Sequence, residues 1–235
     1  MRCRGVALIE LMLACALAVA LGASALHLVV AQIDEQRRLQ RMIRIEQELR
    51  AAADLIVRDL RRAGYRGDAA TAVLRAADGQ SVPPNPYAGL ERGLEAGASA
   101  LGHAYSRDIA EDGQVANHER FGLQWLPAEG LLEWRLSGSA LQPAARDHWQ
   151  ALVDPALLQV TALAIDLIEE RHSLLALCGA AAGGCGGQAG CPPERIRRQV
   201  RLRIEARDRQ DASRRHQLES RTHLRNDEVR GVCPA

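Results

Sequence analysis

The chain contains no lysine: all 30 of its basic residues are arginine. That excludes chemistry built on a lysine, whether a phosphate-loop lysine, a Schiff base or a kinase-type lysine. Aromatic residues make up only 3%, with a single phenylalanine, Phe121, so a core must be built from Leu, Ile, Val and Ala. No proline precedes Pro83, and no glycine lies between Gly22 and Gly64, so the usual helix breakers are missing from a long stretch. Neither sign of charge dominates. A net charge of +1 over 235 residues gives no global attraction to nucleic acid or anionic lipid. The length suits one good-sized domain with an anchor, or two small domains.

One long apolar run is present. Residues 1–5, Met-Arg-Cys-Arg-Gly, are short and basic, and from Val6 to Ala31 nearly every residue is apolar or small. Spanning a bilayer takes about 20 such residues. Arg2 and Arg4 before the run set the leader on the cytoplasmic side and the rest of the chain outside. Glu10 interrupts the run. A buried acid in a membrane helix costs roughly 2.5–3.5 kcal/mol on insertion scales, which makes it a functional residue with a partner by default. A cut after Gly5 would create an α-amino group on Val6, four residues from Glu10, and in a filament the Glu10 of one subunit could neutralise the amine of its neighbour.

The run Gly5-Val6-Ala7-Leu8-Ile9-Glu10-Leu11-Met12 resembles the class III signal of type IV prepilins and of type II secretion pseudopilins. The resemblance implies cleavage after Gly5 by a prepilin peptidase, methylation at Val6, and subunit docking through Glu10. Val6 departs from the pattern, since most members carry Phe there. A secretory signal cut near Ala23-Ser24-Ala25 and an uncut anchor are the competing readings, and Glu10 sits where a secretory apolar stretch should begin.

Beyond the run, Leu39, Met42, Ile43, Leu49, Ala53, Ile56, Leu60 and Ala63 recur at three- and four-residue steps, which predicts a helix from about Leu8 to Ala63 ending at Gly64. Its second half should be covered by the rest of the domain and its first half by neighbouring subunits. The segment Arg58-Asp59-Leu60-Arg61-Arg62-Ala63-Gly64-Tyr65 resembles the helix end of PilW-type minor pilins, and also that of J-type pseudopilins. Residues 66–118 read as long loops with short strands. Strands are expected at 121–126 and 131–136 around a turn, at 157–168, at 199–206 and at 216–224. Thr222 to Asn226 resembles the last strand of PilW-like proteins. The expected fold class is α+β and pilin-like, with a long N-terminal helix packed on an antiparallel β-sheet. The expected organisation is a leader at 1–5, a transmembrane or filament-core half-helix at 6–31, an amphipathic half-helix at 32–64 and a periplasmic globular domain at 65–235.

Cys178, Cys185, Cys191 and Cys233 belong to the exported part, where an even count argues for two disulfides. Sequence leaves the pairing open, with one bond inside the loop and one to Cys233 favoured. Zinc is the rival, although the gaps of six and five residues exceed the usual two to four. Asp108, Asp112, Gly113, Val115 and Glu119 match positions of a calcium-binding EF-hand loop, while Ala110 fails one. A solvated acidic turn is the alternative. Gly97-Ala98-Ser99 lacks the second glycine of a nucleophile elbow, and no His-Glu-x-x-His pair occurs.

The resemblance implies a minor pilin of the type IV pilus, processed by prepilin peptidase and held in the bacterial inner membrane with its C-terminal domain in the periplasm, then placed in the pilus or at its tip. Its expected partners are other minor pilins, the major pilin and a tip adhesin, with no cofactor, no metal and no small-molecule substrate. A J-type pseudopilin of type II secretion is the alternative. A membrane-anchored enzyme would need convergent catalytic residues, which the sequence does not offer. Nucleic-acid binding would rest on the arginines between Arg195 and Arg215.

Overall fold

The computed structural model describes residues 8–72, 83–93, 99–109, 111–178 and 184–234. Helix α1 runs Leu8–Leu60 without a break, as the absence of Pro and the presence of only one glycine, Gly22, allow. The chain divides into two compact units, Met1–Gln47 and Glu48–Ala235.

In the first unit the described residues are helical and almost all exposed. Leu39, Met42 and Ile43, expected on a buried stripe, are 47%, 40% and 52% exposed. The periodicity there is real, but in the single chain those residues have no cover.

The second unit carries the end of α1 and two antiparallel sheets. Leu49, Ala52, Ala53, Ile56 and Leu60 are buried, one stripe at helical spacing. Past Leu60 the helix tightens: the Arg62 amide donates to the Asp59 carbonyl and the Ala63 amide to the Leu60 carbonyl. Gly64 then takes φ +76°, a left-handed stop that favours glycine.

Sheet 1 has five strands in sequential order: β1 (Leu90–Gly93), β2 (Ser99–Ala104), β3 (Arg120–Leu126), β4 (Leu131–Ser137) and β5 (His148–Ala151). The β3–β4 hairpin turns at Gly130, φ +67°, where the sequence placed a turn. Leu101, Phe121, Leu123 and Leu132 are buried. The opposite face is covered by the loop after β4. Arg135, fully buried on that side, donates to the carbonyls of Ala140 (2.6 Å) and Leu141 (2.9 Å) and pairs with Asp147 at 2.6 Å.

Sheet 2 is built from β6 (Leu158–Ser173), β7 (Glu194–Asp208) and β8 (Arg215–His223) in that order, with β9 (Glu228–Arg230) also on β7. Along β7, Ile196, Val200, Leu202, Ile204 and Ala206 are buried and Arg197, Arg201 and Arg203 lie on the other face, the alternation of a half-buried strand, while Arg198 is buried on the inner face and bonded to Glu169 and Glu228. The fold is therefore α+β and pilin-like, a long N-terminal helix packed against antiparallel β-structure. One sheet was expected and two are present. The division falls between β5 and β6, where Pro155 and the turn around Asp154 interrupt the pairing. Strands β6 and β7 extend beyond the expected ranges because each pairs with the other through the charged segments Glu169–His172 and Arg195–Arg198.

Candidate functional site

Gly5 and Val6, the expected processing residues, lie outside the described residues, as do Ala110, Gly97 and Ala98. Glu10 is described. It sits near the N-terminal end of the described part of α1. Its surroundings, Leu8, Ile9, Leu11, Met12 and Leu13, are each more than 60% exposed. The helix is long and apolar enough to cross a membrane, and its most apolar stretch is not buried. An apolar surface of this extent in an otherwise ordinary domain marks a place for lipid or for other protein chains.

The end of α1 is tied down by residues from both sheets. Asp59 is 7% exposed and its carboxylate accepts three bonds: from His103 Nε2 (3.0 Å), from the Tyr105 hydroxyl (3.1 Å) and from Trp134 Nε1 (3.0 Å). Burial pushes the Asp59 carboxyl up, but the adjacent His103 and the three donors outweigh it and hold it below the ordinary value. Burial, then the Asp59 charge, raises the Tyr105 hydroxyl to about 12. Tyr105 stacks on Phe121 with centroids 4.2 Å apart, and the Arg62 guanidinium lies 5.9 Å over the Tyr105 ring. Arg61 Nε donates to Thr222 Oγ1 of β8 (3.2 Å), and Asn226 Nδ2, in the turn between β8 and β9, donates to the carbonyls of Arg62 (3.2 Å) and Ala63 (3.0 Å). The Gly64 amide donates to the Ala104 carbonyl at 2.8 Å. Both segments singled out in the sequence, 58–65 and 222–226, thus meet at the helix end.

The four exported cysteines form two disulfides, Cys178–Cys233 and Cys185–Cys191, each with Cα atoms 5.5 Å apart. No thiolate of these four is left for zinc. The first ties the loop after β6 to the C-terminus across 55 residues, and the second closes a six-residue step inside the loop.

In the acidic loop, Asp108 and Glu119 come together with His118, their ligand-type atoms within 4.8 Å of one another, whereas Asp112 is not in that group. The Glu119 carboxylate is fully buried and accepts from the backbone amides of Arg107 (2.7 Å) and Ala116 (2.9 Å). Asp112 accepts from the Gln114 amide at 2.8 Å. Glu111, which the sequence did not single out, accepts from the Gly67 amide (2.9 Å) and the Tyr87 hydroxyl (2.9 Å). Of the acids that the sequence grouped by spacing, Asp112 and Glu119 accept bonds from the loop's own backbone amides.

The arginines between 195 and 215 do not form a bare cationic face. Arg195 and Arg197 reach Asp227, at 3.7 and 3.9 Å, and Arg201 and Arg203 reach Glu219, at 3.7 and 3.8 Å.

A helix whose exposed apolar first part carries a single acid, Glu10, and whose C-terminal end is clamped by an α+β head defines a pilin-like protein. The family model of prepilin peptidase-dependent protein B matches residues 38–224, more than half of the chain. The chain belongs to that family, a group of pilin-like proteins associated with type IV pili and type II secretion. No curated protein and no solved structure matches it.

Proposed function

We propose that this protein is a minor pilin-like subunit, cut after Gly5 by prepilin peptidase, methylated at Val6, and docked into a filament or its priming complex through Glu10. The observation that carries the reading is Glu10, a single acid exposed among apolar side chains in a helix of membrane-spanning length. A carboxylate there is costly in lipid and gains a partner only when another subunit supplies a cation at the same depth. The family assignment supports the dependence on the peptidase. The chain sits as a single-pass protein in the inner membrane with its head in the periplasm before assembly. Its partners are the peptidase, other minor pilins, the major pilin and a tip adhesin, and its role is assembly or tip formation in a type IV pilus of the PilW kind.

The helix end at 58–65 is shared with J-type pseudopilins, so a place at the tip of a type II secretion filament is the second reading. Both roles are structural, with docking surfaces in place of catalytic groups. The test is a Glu10→Ala variant. It should be cut and held in the membrane like the wild type but fail to enter sheared filaments or co-purify with other subunits. Normal incorporation would overturn the docking role. The proteins recovered with the wild type, pilus subunits or secretion subunits, separate the two readings.

A further inference from the structure

Strand β6 is 16 residues long and lies at one edge of sheet 2, paired on one side with β7. The direction of its backbone groups follows from two bonds. The Leu174 amide donates to the Pro193 carbonyl (2.7 Å), and the Leu224 amide donates to the Arg198 carbonyl (2.9 Å). With the β6–β7 register, in which Ala164 faces Arg203 and His172 faces Arg195, these bonds set the even-numbered residues of β6 toward β7 from Ala162 onward, past the register shift at Val160. Ile165, Leu167, Glu169, Arg171 and Ser173 therefore turn their amides and carbonyls to the free edge. Among the described residues, no bond outside the β6–β7 ladder reaches these groups. Residues 168–173 are all exposed.

An open row of alternating donors and acceptors spaced for a strand accepts one kind of occupant, another extended chain. The segment 164–173 offers an edge of roughly 33 Å, long compared with the short edge strands that protect ordinary sheets. It is also fixed in place before any partner arrives. Its far end is held by the Leu174–Pro193 bond and, four residues on, by the Cys178–Cys233 disulfide.

Charge decides between a second copy and a different chain. On the outer face the edge presents Asp166, Ile168 and Glu170, with Ile168 37% exposed. If a second copy used the whole edge in antiparallel register centred on Ile168, Glu170 of each copy would oppose Asp166 of the other, a like-charge contact at both ends. A strand from a different subunit, with basic side chains flanking an apolar one at alternate positions, matches the row instead. We infer that the free edge of β6 is a docking site for such a strand, which extends sheet 2 across a subunit boundary. The inference rests on the proposed role as an assembly subunit and names the surface that role uses outside the membrane. The charged residues Glu169, Glu170, Arg171 and His172 protect the edge against indiscriminate pairing and so make the partner specific.

The test compares hydrogen exchange in the full chain alone in mild detergent with that in the chain recovered within its assembly, resolved to single amides. The amides of Leu167, Glu169 and Arg171 should exchange fast alone and at least ~10-fold more slowly in the assembly, while the even-numbered amides are protected in both. Unchanged exchange at the odd positions in assembled protein would overturn the inference and leave the assembly role standing. Recovery of the chain in no assembly at all would overturn both. An Arg171→Pro variant removes one outward amide without touching the β7 ladder, and Arg171→Ala keeps that amide while removing the same side chain. Arg171→Ala should assemble at the wild-type level and Arg171→Pro about 10-fold less. Equal assembly of the two would contradict the proposal. A melting curve of each variant shows whether the head is intact, and if Arg171→Pro does not fold, the exchange comparison decides.

Discussion

The Asp59 carboxylate lies 3.0 Å from His103 Nε2, with both side chains buried, so the last turn of α1 is bonded to the second strand of sheet 1 through a polar pair inside an apolar layer. Removing the acid leaves His103, Tyr105 and Trp134 without their acceptor. Asp59→Ala should destabilise the full chain by about 3–5 kcal/mol, the cost of breaking a buried pair by deleting one partner. Asp59→Asn keeps an acceptor and should cost about half as much. Chemical unfolding in mild detergent, followed by tryptophan fluorescence because Trp134 touches the site, measures both. Equal stability of Asp59→Ala and wild type would show that the pair does not hold the helix end.

The same pair sets a pH dependence. Asp59 titrates below its ordinary value in the folded chain, where burial is outweighed by His103 and the other donors. Glu169 does too, with the Arg198 hydrogen bond as the largest cause. A lowered folded value means that the folded state binds protons less readily than the unfolded state. The stabilisation is complete above the unfolded carboxylate values, about 3.9 for Asp and 4.3 for Glu, and is lost as pH falls through the lower folded values. Stability from these two acids should be flat from pH 6 down to about 5 and then drop. In Asp59→Asn the drop below pH 4 should be shallower than in wild type. Parallel acid-unfolding curves would remove Asp59 from this account.

Much of this was legible in the sequence, and the reason is local. Glycine at 64 after an unbroken helical period predicts a helix end, and Gly64 has the left-handed φ that such an end needs. Alternation along 199–206 predicts a strand with one buried face, and β7 has it. What the sequence hid is long-range. Nothing near Asp59 shows that His103, Tyr105 and Trp134 converge on it, since they lie 44, 46 and 75 residues away in the chain. The split into two sheets was likewise hidden, because a strand's pattern reports its buried face and not its neighbour. Glu119 was grouped with Asp108 and Asp112 by spacing, yet it is a buried acceptor for two backbone amides, a role that spacing does not reveal.

The two disulfides should contribute unequally. Closing a loop restricts the unfolded chain more when the loop is longer, so by the chain-entropy estimate Cys178–Cys233 is worth ~4 kcal/mol and Cys185–Cys191 ~2 kcal/mol. Replacing both cysteines of each pair by serine, and comparing unfolding midpoints, checks the order. A larger loss from the Cys185/Cys191 double variant would contradict it.

At the helix end, Asn226→Ala removes the side chain that bonds the Arg62 and Ala63 carbonyls and should cost about 1 kcal/mol. Gly64→Ala places a side chain at φ +76° and should cost about 1–2 kcal/mol. Because the two residues cap the same turn, the double variant should lose less than the sum. A double-mutant cycle by chemical unfolding gives the coupling, and strict additivity would show that the two act independently.

The most direct test of the central claim is the intact mass of the protein extracted from the membrane of cells with and without prepilin peptidase. In the first case the chain should begin at methylated Val6, and in the second it should retain residues 1–5. A chain that begins at Met1 or at Leu26 when the peptidase is present would contradict it.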